Sequence, residues 1–234
     1  MTKPVLCDLN SCFLCQSCLP DWKPAINAIK ENIVIKKGQL LFKEGDPVTG
    51  MYFVYSGSLK VHKRWDEEKE FILRFAKSGD IVGHLGLGDQ QVYPVSATAI
   101  EPATVCYVPM GFFESTLNVN HAFTAKLMRC FANDLQESEK RMRNLVYMSV
   151  KGRIAQALIS LKKQFGLDQE GCIAVEISRQ DIASFSGAVY ESLFRAMNEL
   201  ADKGLVELAG KHIIIKDEDG LLKMIEAERH IALK

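Results

Sequence analysis

No apolar run in this chain approaches the ~18 residues that announce a bilayer-spanning helix, so the sequence reads as soluble with no membrane partner. Its start, Met-Thr-Lys-Pro-Val-Leu-Cys, lacks the basic stretch and apolar core of a secretory signal, which sets a cytoplasmic expectation. Neither sign of charge is in excess: 29 Lys and Arg face 29 Asp and Glu. The chain as a whole is therefore no polycation. From Met148 onward there are 12 Lys and Arg against 13 Asp and Glu. Five of those acids (Asp217, Glu218, Asp219, Glu226, Glu228) fall in the last eighteen residues, which argues against strong non-specific DNA affinity. No Ser–His–Asp arrangement, phosphate-cradling glycine loop or metal–carboxylate motif is found, so the sequence argues against an enzyme.

What is present begins with the segment ISRQDIASFSGAVYESLFRAMNELADKGLVELAG, Ile177 to Gly210. Ser178 can cap a first helix carrying Ile182, Ala183 and Phe185, and Gly187 supplies a sharp turn. A second helix from about Val189 places Leu193, Met197 and Leu200 on one stripe and Tyr190, Glu191, Phe194 and Arg195 on another. A helix packed on one face and offering long side chains on the next suits the major groove. Val206–Leu208 and His212–Ile215, joined through Ala209-Gly210-Lys211, read as a hairpin, and a last helix is expected from about Glu218.

Upstream, 234 residues suffice for one large or two modest domains. Residues 1–20 form a Cys-rich arm without helical or strand period. Over 21–118, short β-branched or aromatic runs alternate with glycines: Ile33–Ile35, Leu40–Phe42, Met51–Tyr55, Leu59–His62, Phe71–Phe75, Ile81–Val82, Val95–Ile100 and Thr104–Val108. Such spacing predicts a closed or sandwiched antiparallel β-domain. The period then changes. Val119, Phe123, Leu127, Phe131, Leu135, Ser138, Met142 and Leu145 step by three or four, predicting one helix over 119–147. Its stripe must be buried, either against a second copy or against the β-domain of its own chain. Residues 148–234, opened by a helix over Val150–Phe165, complete the division.

These motifs resemble the Crp/Fnr family of bacterial transcription regulators. The glycine-spaced KKGQLLFKEGDPVTGMYFVYSGSLKV, the turn SGDIVGHLGL, and the helix-turn-helix with its hairpin fall in the family's order and cover nearly all of the chain. The resemblance implies an α+β architecture: an N-terminal β jelly-roll of the cyclic-nucleotide-binding type as sensor, a dimerisation helix and a C-terminal winged helix-turn-helix. It implies no catalysis, and as partners double-stranded DNA with a palindromic operator and a second copy, with room for RNA polymerase. Glu191 and Arg195 match the family's base-reading Glu and Arg. Glu accepts from a cytosine amino group, and Arg bonds guanine O6 and N7. Tyr190 and Phe194 depart from the smaller or polar residues usual there; Phe194 could contact a thymine methyl or pack against Phe185. With Val189 beside them, Ser178, Arg179, Gln180 and Lys211 are further candidates, for phosphate. The other function class is a small-molecule-binding module whose DNA affinity is weak or lost, suggested by the neutral charge and these two aromatics.

The effector pocket is expected at Gly83, His84, Leu85, Tyr93 and Ser96. Cyclic-AMP members carry a Glu after the pocket glycine and an Arg-Ser pair further on; here stand His84 and Tyr93-Pro94. Without that cation a buried phosphate loses its main compensation, so cyclic AMP is not the expected effector. Arg74 or Lys77 could substitute. In the arm, Cys7, Cys12, Cys15 and Cys18 precede Leu19-Pro20, resembling the cysteine cluster of the oxygen-sensing Fnr branch, and Cys106 matches that branch's distant cysteine. The resemblance implies a [4Fe–4S] cluster on Cys12, Cys15, Cys18 and Cys106, with Cys7 as the alternative ligand. Zinc, a thiol–disulfide sensor, or an arm that binds nothing remain open readings. Cys130 and Cys172 read as buried small hydrophobes.

Overall fold

The computed structural model describes residues 7–66 and 69–231. They form two compact units: Met1–Arg64 with Ile72–Leu135, and Trp65–Phe71 with Gln136–Lys234.

In the first unit, eight strands run β1 (Glu31–Ile35), β2 (Leu40–Phe42), β3 (Gly50–Ser56), β4 (Leu59–Arg64), β5 (Glu70–Ala76), β6 (Ile81–Val82), β7 (Ser96–Ala99) and β8 (Ala103–Pro109). They make two four-stranded sheets, ordered β1-β8-β3-β6 and β2-β7-β4-β5. This is the sandwiched antiparallel β-domain that the alternating runs predict, with the jelly-roll architecture that the resemblance implies. β3 is buried on both faces, and strand alternation decides which side each residue serves. Tyr52 and Val54 join Phe42, Leu59, Val61, Tyr93, Val95 and Val105 in one core. Met51 and Phe53 face a second core with Ile81, Cys106, Val108, Phe113, Phe123 and Leu127.

The second core is closed by helices, three of which the sequence reading missed. α1 (Phe13–Ser17) and α2 (Lys23–Ile29) occupy the segment expected to lack helical period or to begin the β-domain. α3 (Met110–Val119) is separate from α4 (His121–Tyr147), so the expected single helix from Val119 is corrected: it starts at His121. The break is at Asn120. Its side-chain amide donates to Thr116 O at 3.2 Å and its carbonyl accepts from Leu19 N at 2.8 Å, competing with helix propagation. Trp22 fastens α2 to α3, stacking on Phe112 at 5.6 Å and donating to Thr116 Oγ1 at 3.0 Å.

The stripe on α4 divides. Phe123 and Leu127 are buried in the core of their own unit. Met128, Leu135, Met142 and Leu145 are exposed. Met128, Leu135 and Met142 are seven apart, and so are Phe131, Ser138 and Leu145, three residues offset. That alternation of three and four is the spacing at which apolar residues recur along a coiled-coil seam.

In the second unit, α5 (Val150–Phe165) starts at Ser149, whose Oγ accepts from Gly152 N at 3.1 Å. There follow α6 (Arg179–Ser186), α7 (Tyr190–Asp202), the hairpin β9 (Val206–Ala209) and β10 (His212–Ile215), and α8 (Glu218–Ile231). Ser178 caps α6 by accepting from Asp181 N at 3.0 Å. Gly187 turns the chain with φ +65°, and an added Cβ would collide with Leu145. Among the described residues, no helix is long and apolar enough to cross a membrane.

Candidate functional site

The reading face of α7 follows from its periodicity. Leu193, Ala196, Met197 and Leu200 are buried, which turns Tyr190, Glu191, Phe194 and Arg195 outward. All four are exposed, as is Val189, the N-cap. Glu191 and Arg195 stand one helical turn apart on that face. Ser178 and Gln180 are exposed at the start of α6, but Arg179 is half-buried. Its Nη2 donates to Gly210 O at 3.2 Å and His212 O at 3.3 Å, tying α6 to the hairpin turn. Lys211, at the hairpin tip, pairs with Glu176 at 3.1 Å.

Two arginines that the sequence reading passed over hold the helix-turn-helix. Arg153 donates from Nε to Ser186 O at 3.0 Å, from Nη2 to Gly187 O at 3.0 Å and from Nη1 to Met148 O at 2.9 Å. Arg141 donates to Phe185 O at 2.7 Å, its guanidinium near the rings of Phe71 (5.1 Å) and Phe185 (4.5 Å). Both satisfy carbonyls that the end of α6 leaves without helical partners. Burial lowers the Arg141 pKa to about 10, against the pull of Glu137, and the side chain stays charged at neutral pH. No local pattern marks either residue, because their acceptors at the end of α6 and the following turn lie thirty or more positions away.

The positions expected to line an effector pocket each make contacts of their own. Tyr93 stacks on Phe42 at 4.1 Å and donates to Gly50 O at 2.7 Å. Ser96 is buried and its Oγ accepts from Glu44 N at 2.9 Å. Gly83 has φ +90°, and a Cβ there would press on Tyr93. Leu85 packs partly buried against the same core. His84 is buried; its Nε2 lies 2.9 Å from Asp134 Oδ2 on α4, and its ring meets Phe131 edge-on at 5.1 Å. Arg74 is engaged here too, with Nε 3.9 Å from the same carboxylate and Nη2 donating to Ile81 O at 2.6 Å.

Burial holds the His84 imidazole below its ordinary value of 6.5, against the opposing pull of Asp134. Nδ1 is also buried without a partner among the described residues, so protonating it would strand an N–H. Burial favours a protonated Asp134, but the His84 hydrogen bond and Arg74 outweigh it and leave this carboxyl lowered. A histidine whose folded-state pKa is depressed contributes stability above its unfolded value, and that stability is lost as pH falls below it. Melting temperature should therefore drop between pH 7 and pH 5.5 in the native chain. Calorimetry on His84→Gln should show a visibly flatter profile over that window, and equal slopes would contradict the assignment.

The third constellation is in the arm. Asp8 shapes it, its Oδ1 accepting from Asn10 N at 2.8 Å and Ser11 N at 2.9 Å. Cys12 is the N-cap of α1, its sulfur accepting from Cys15 N at 3.4 Å. The donor sulfurs of Cys7, Cys12 and Cys15 lie within 4.8 Å of one another and are buried. Cys106 meets them from β8, where it is paired with Phe53 and Asn32 and therefore shares the face of Phe53. Its thiol donates to Asn32 Oδ1 at 3.3 Å and hydrogen-bonds with Cys12 and Cys7. The bond from Cys106 favours the thiolate of Cys12 and likewise that of Cys7. In turn the bond to Cys12 holds the protons on Cys15 and on Cys106. The thiolate is thus favoured at Cys7 and Cys12 and the proton held at Cys15 and Cys106, and a bound cation would favour ionisation of all four. Cys18 caps the other end of α1 outside this hydrogen-bonded group, and burial pushes its thiol up to about 12. Cys172 is buried as expected, but Cys130 is only partly buried, on α4 beside His84 and Asp134.

Together a jelly-roll sensor-type domain and a winged helix-turn-helix define a ligand-responsive, DNA-binding regulator. A cyclic nucleotide-binding domain model matches residues 33–120 and a Crp-like helix-turn-helix domain model matches residues 152–224, together more than half of the chain. The chain belongs to the Crp/Fnr family of transcription regulators. It is 29% identical to the transcriptional activator protein anr of Pseudomonas aeruginosa, over 89% of this chain and 88% of that one. With the CRP-like cAMP-activated global transcriptional regulator of Mycobacterium tuberculosis it shares 26% identity over 80% of this chain and 84% of that one. The fold is similar to that of FixK2 from Bradyrhizobium japonicum, with TM-score 0.74 and 23% identity over 83% of this chain and 96% of that chain. These relatives are regulators, not enzymes.

Proposed function

We propose that the protein is a homodimeric transcription regulator that reads a palindromic operator with α7 and answers to a redox or gas signal through the arm thiols. The observation that carries the DNA reading is the outward face of α7, where Glu191 and Arg195 stand one turn apart above a buried stripe. The seam of exposed Met128, Leu135, Met142 and Leu145 supports pairing of two α4 helices. A dimer meets half-sites about 34 Å apart, one turn of the duplex. Such a protein works in the cytoplasm, where the DNA is. Repeated gel-shift selection from a random duplex pool tests the reading. Enrichment of a two-fold symmetric sequence supports it, and failure to enrich any duplex refutes it. Replacing Leu135 and Met142 together by Glu should convert the dimer to monomer in analytical ultracentrifugation, because paired like charges in a coiled-coil seam repel. A double variant that stays dimeric removes α4 as the interface.

For the signal, Cys7, Cys12, Cys15 and Cys106 fit a thiolate-bound metal centre: they are buried, free of disulfides and hydrogen-bonded together. The relatives include an anaerobic regulatory protein of Bacillus subtilis, which favours a [4Fe–4S] cluster. Bound there, such a cluster would supply sensitivity to oxygen. The chain's own part is to exclude water and to anchor α1 against β8. Zinc is the second reading: the sulfurs of Cys7, Cys12 and Cys15 lie within 4.8 Å of one another, and clustered thiolates are zinc's usual ligands. Anaerobic reconstitution with iron and sulfide, followed by visible absorption and metal analysis, separates the two. Cyclic AMP is not the effector in this reading, since His84 and Tyr93-Pro94 stand where a ribose-binding Glu and a phosphate-compensating Arg would be needed.

A further inference from the structure

Away from the arm, a second group of metal-ligating side chains stands together among the described residues. His84, Cys130 and Asp134 bring an imidazole nitrogen, a sulfur and a carboxylate oxygen within 4.8 Å of one another. All three belong to the first unit. Packing explains the grouping. Phe123 and Leu127 are buried in the core and fix which side of α4 faces the sheet. Cys130 and Asp134 follow on that helix four residues apart, a spacing that holds Cβ atoms ~5–6 Å from each other. His84 meets them from the 3-10 turn His84–Leu87 that follows β6. The imidazole is buried and the two helix residues are half-buried, so the site is shielded yet reachable from solvent.

We infer that His84, Cys130 and Asp134 bind a divalent transition-metal cation of zinc's class. Imidazole, thiolate and carboxylate together suit zinc or cobalt, whereas calcium and magnesium take oxygen donors. Three protein donors leave the fourth tetrahedral position to water. Donors sharing one zinc ion stand ~3.3–3.8 Å apart. The His84 Nε2 to Asp134 Oδ2 hydrogen bond, 2.9 Å long, therefore opens by a few tenths of an ångström as the ion enters. Binding moves the imidazole proton from Nε2 to Nδ1 and releases the Cys130 thiol proton to solvent. Two features keep the site weak. Nδ1 is buried without a partner among the described residues, so its new N–H goes unpaired. Arg74 Nε also lies 3.9 Å from Asp134 Oδ2, although its Nη2 is committed to Ile81 O at 2.6 Å. An ion held in this way exchanges with solvent, which suits a site that follows metal concentration rather than a permanent structural one. It ties the turn after β6 to α4 between the exposed Met128 and Leu135. The site depends on neither the arm thiols nor the DNA reading.

The test titrates the full-length protein with cobalt(II) alone, anaerobically and without iron or sulfide. Native protein should take up one equivalent more than Cys130→Ala or Asp134→Ala. Both variants keep Cys7, Cys12, Cys15 and Cys106, so whatever the arm binds cancels in the difference. That equivalent should carry the visible d–d bands of tetrahedral cobalt and a near-ultraviolet thiolate-to-metal band, both lost on displacement by zinc. Alanine favours a helix and both positions are half-buried, so α4 should persist, which circular dichroism checks. Arg74→Gln keeps all three donors and should tighten cobalt binding about tenfold, because a positive charge beside the ion is removed. A purely structural role for the three residues predicts no such gain. Equal uptake by native protein and both alanine variants overturns the inference, as does a loss confined to one of them, or weaker binding by Arg74→Gln. An arm that binds no cobalt lowers every total alike and leaves the one-equivalent difference as the result.

Discussion

Arg195→Ala should weaken binding to the selected operator by roughly a thousandfold. One bidentate contact to guanine discriminates by ~1–3 kcal/mol, and a dimer loses it in both half-sites. Arg195 is exposed, with its neighbours Ala196 and Met197 carrying the packing, so the melting temperature should stay within a degree or two. The effect should be confined to the cognate sequence: against duplex with the G·C pair replaced, variant and native protein should bind alike. Arg195→Lys should recover little, because an ammonium cannot make the paired contact. Titration by fluorescence anisotropy at fixed salt measures all of this. An Arg195→Ala variant that selects the same operator with undiminished preference would end the assignment of α7 as the reading helix.

Replacing Cys106 by Ser should abolish the metal content of anaerobically reconstituted protein, and Cys12→Ser should do the same. Cys18→Ser should retain it. The distinction follows from placement: Cys106 and Cys12 hydrogen-bond with each other and with Cys7, whereas Cys18 lies at the far end of α1 outside that group. Visible absorption and metal stoichiometry give the readout. Retention of metal in Cys106→Ser would remove Cys106 from the ligand set, and loss of metal in Cys18→Ser would favour a set that includes Cys18, as the family resemblance suggests. Circular dichroism guards against a trivial cause. Cys106 and Phe53 belong to one core, and a serine hydroxyl there has Asn32 Oδ1 as its acceptor.

Much of the architecture was legible along the chain. Each of the eight β-runs coincides with a strand, because alternation and glycine punctuation are local properties that survive folding. The cap of α6 at Ser178 and the left-handed turn at Gly187 are equally local. The arm and the break at Asn120 were not legible. α1 is five residues long and α2 seven, too short for a helical period to emerge, and both depend on packing against β3 and α3. Asn120 interrupts a continuous apolar stripe only because a residue a hundred positions away, Leu19, needs its carbonyl.

The linear order of residues by itself determined the succession of sheets and helices, the outward stripe of α7 and the apolar stripe on α4, since each is a periodicity of side-chain polarity. Tertiary structure alone decided which thiols stand together. It drew Cys106 to Cys7 and Cys12 through strand parity, and left Cys18 aside although the spacing of the arm favours it equally. It also paired His84 with Asp134 fifty residues away. Contacts of that kind depend on which faces of distant elements are pressed together, and neither spacing nor composition carries that information.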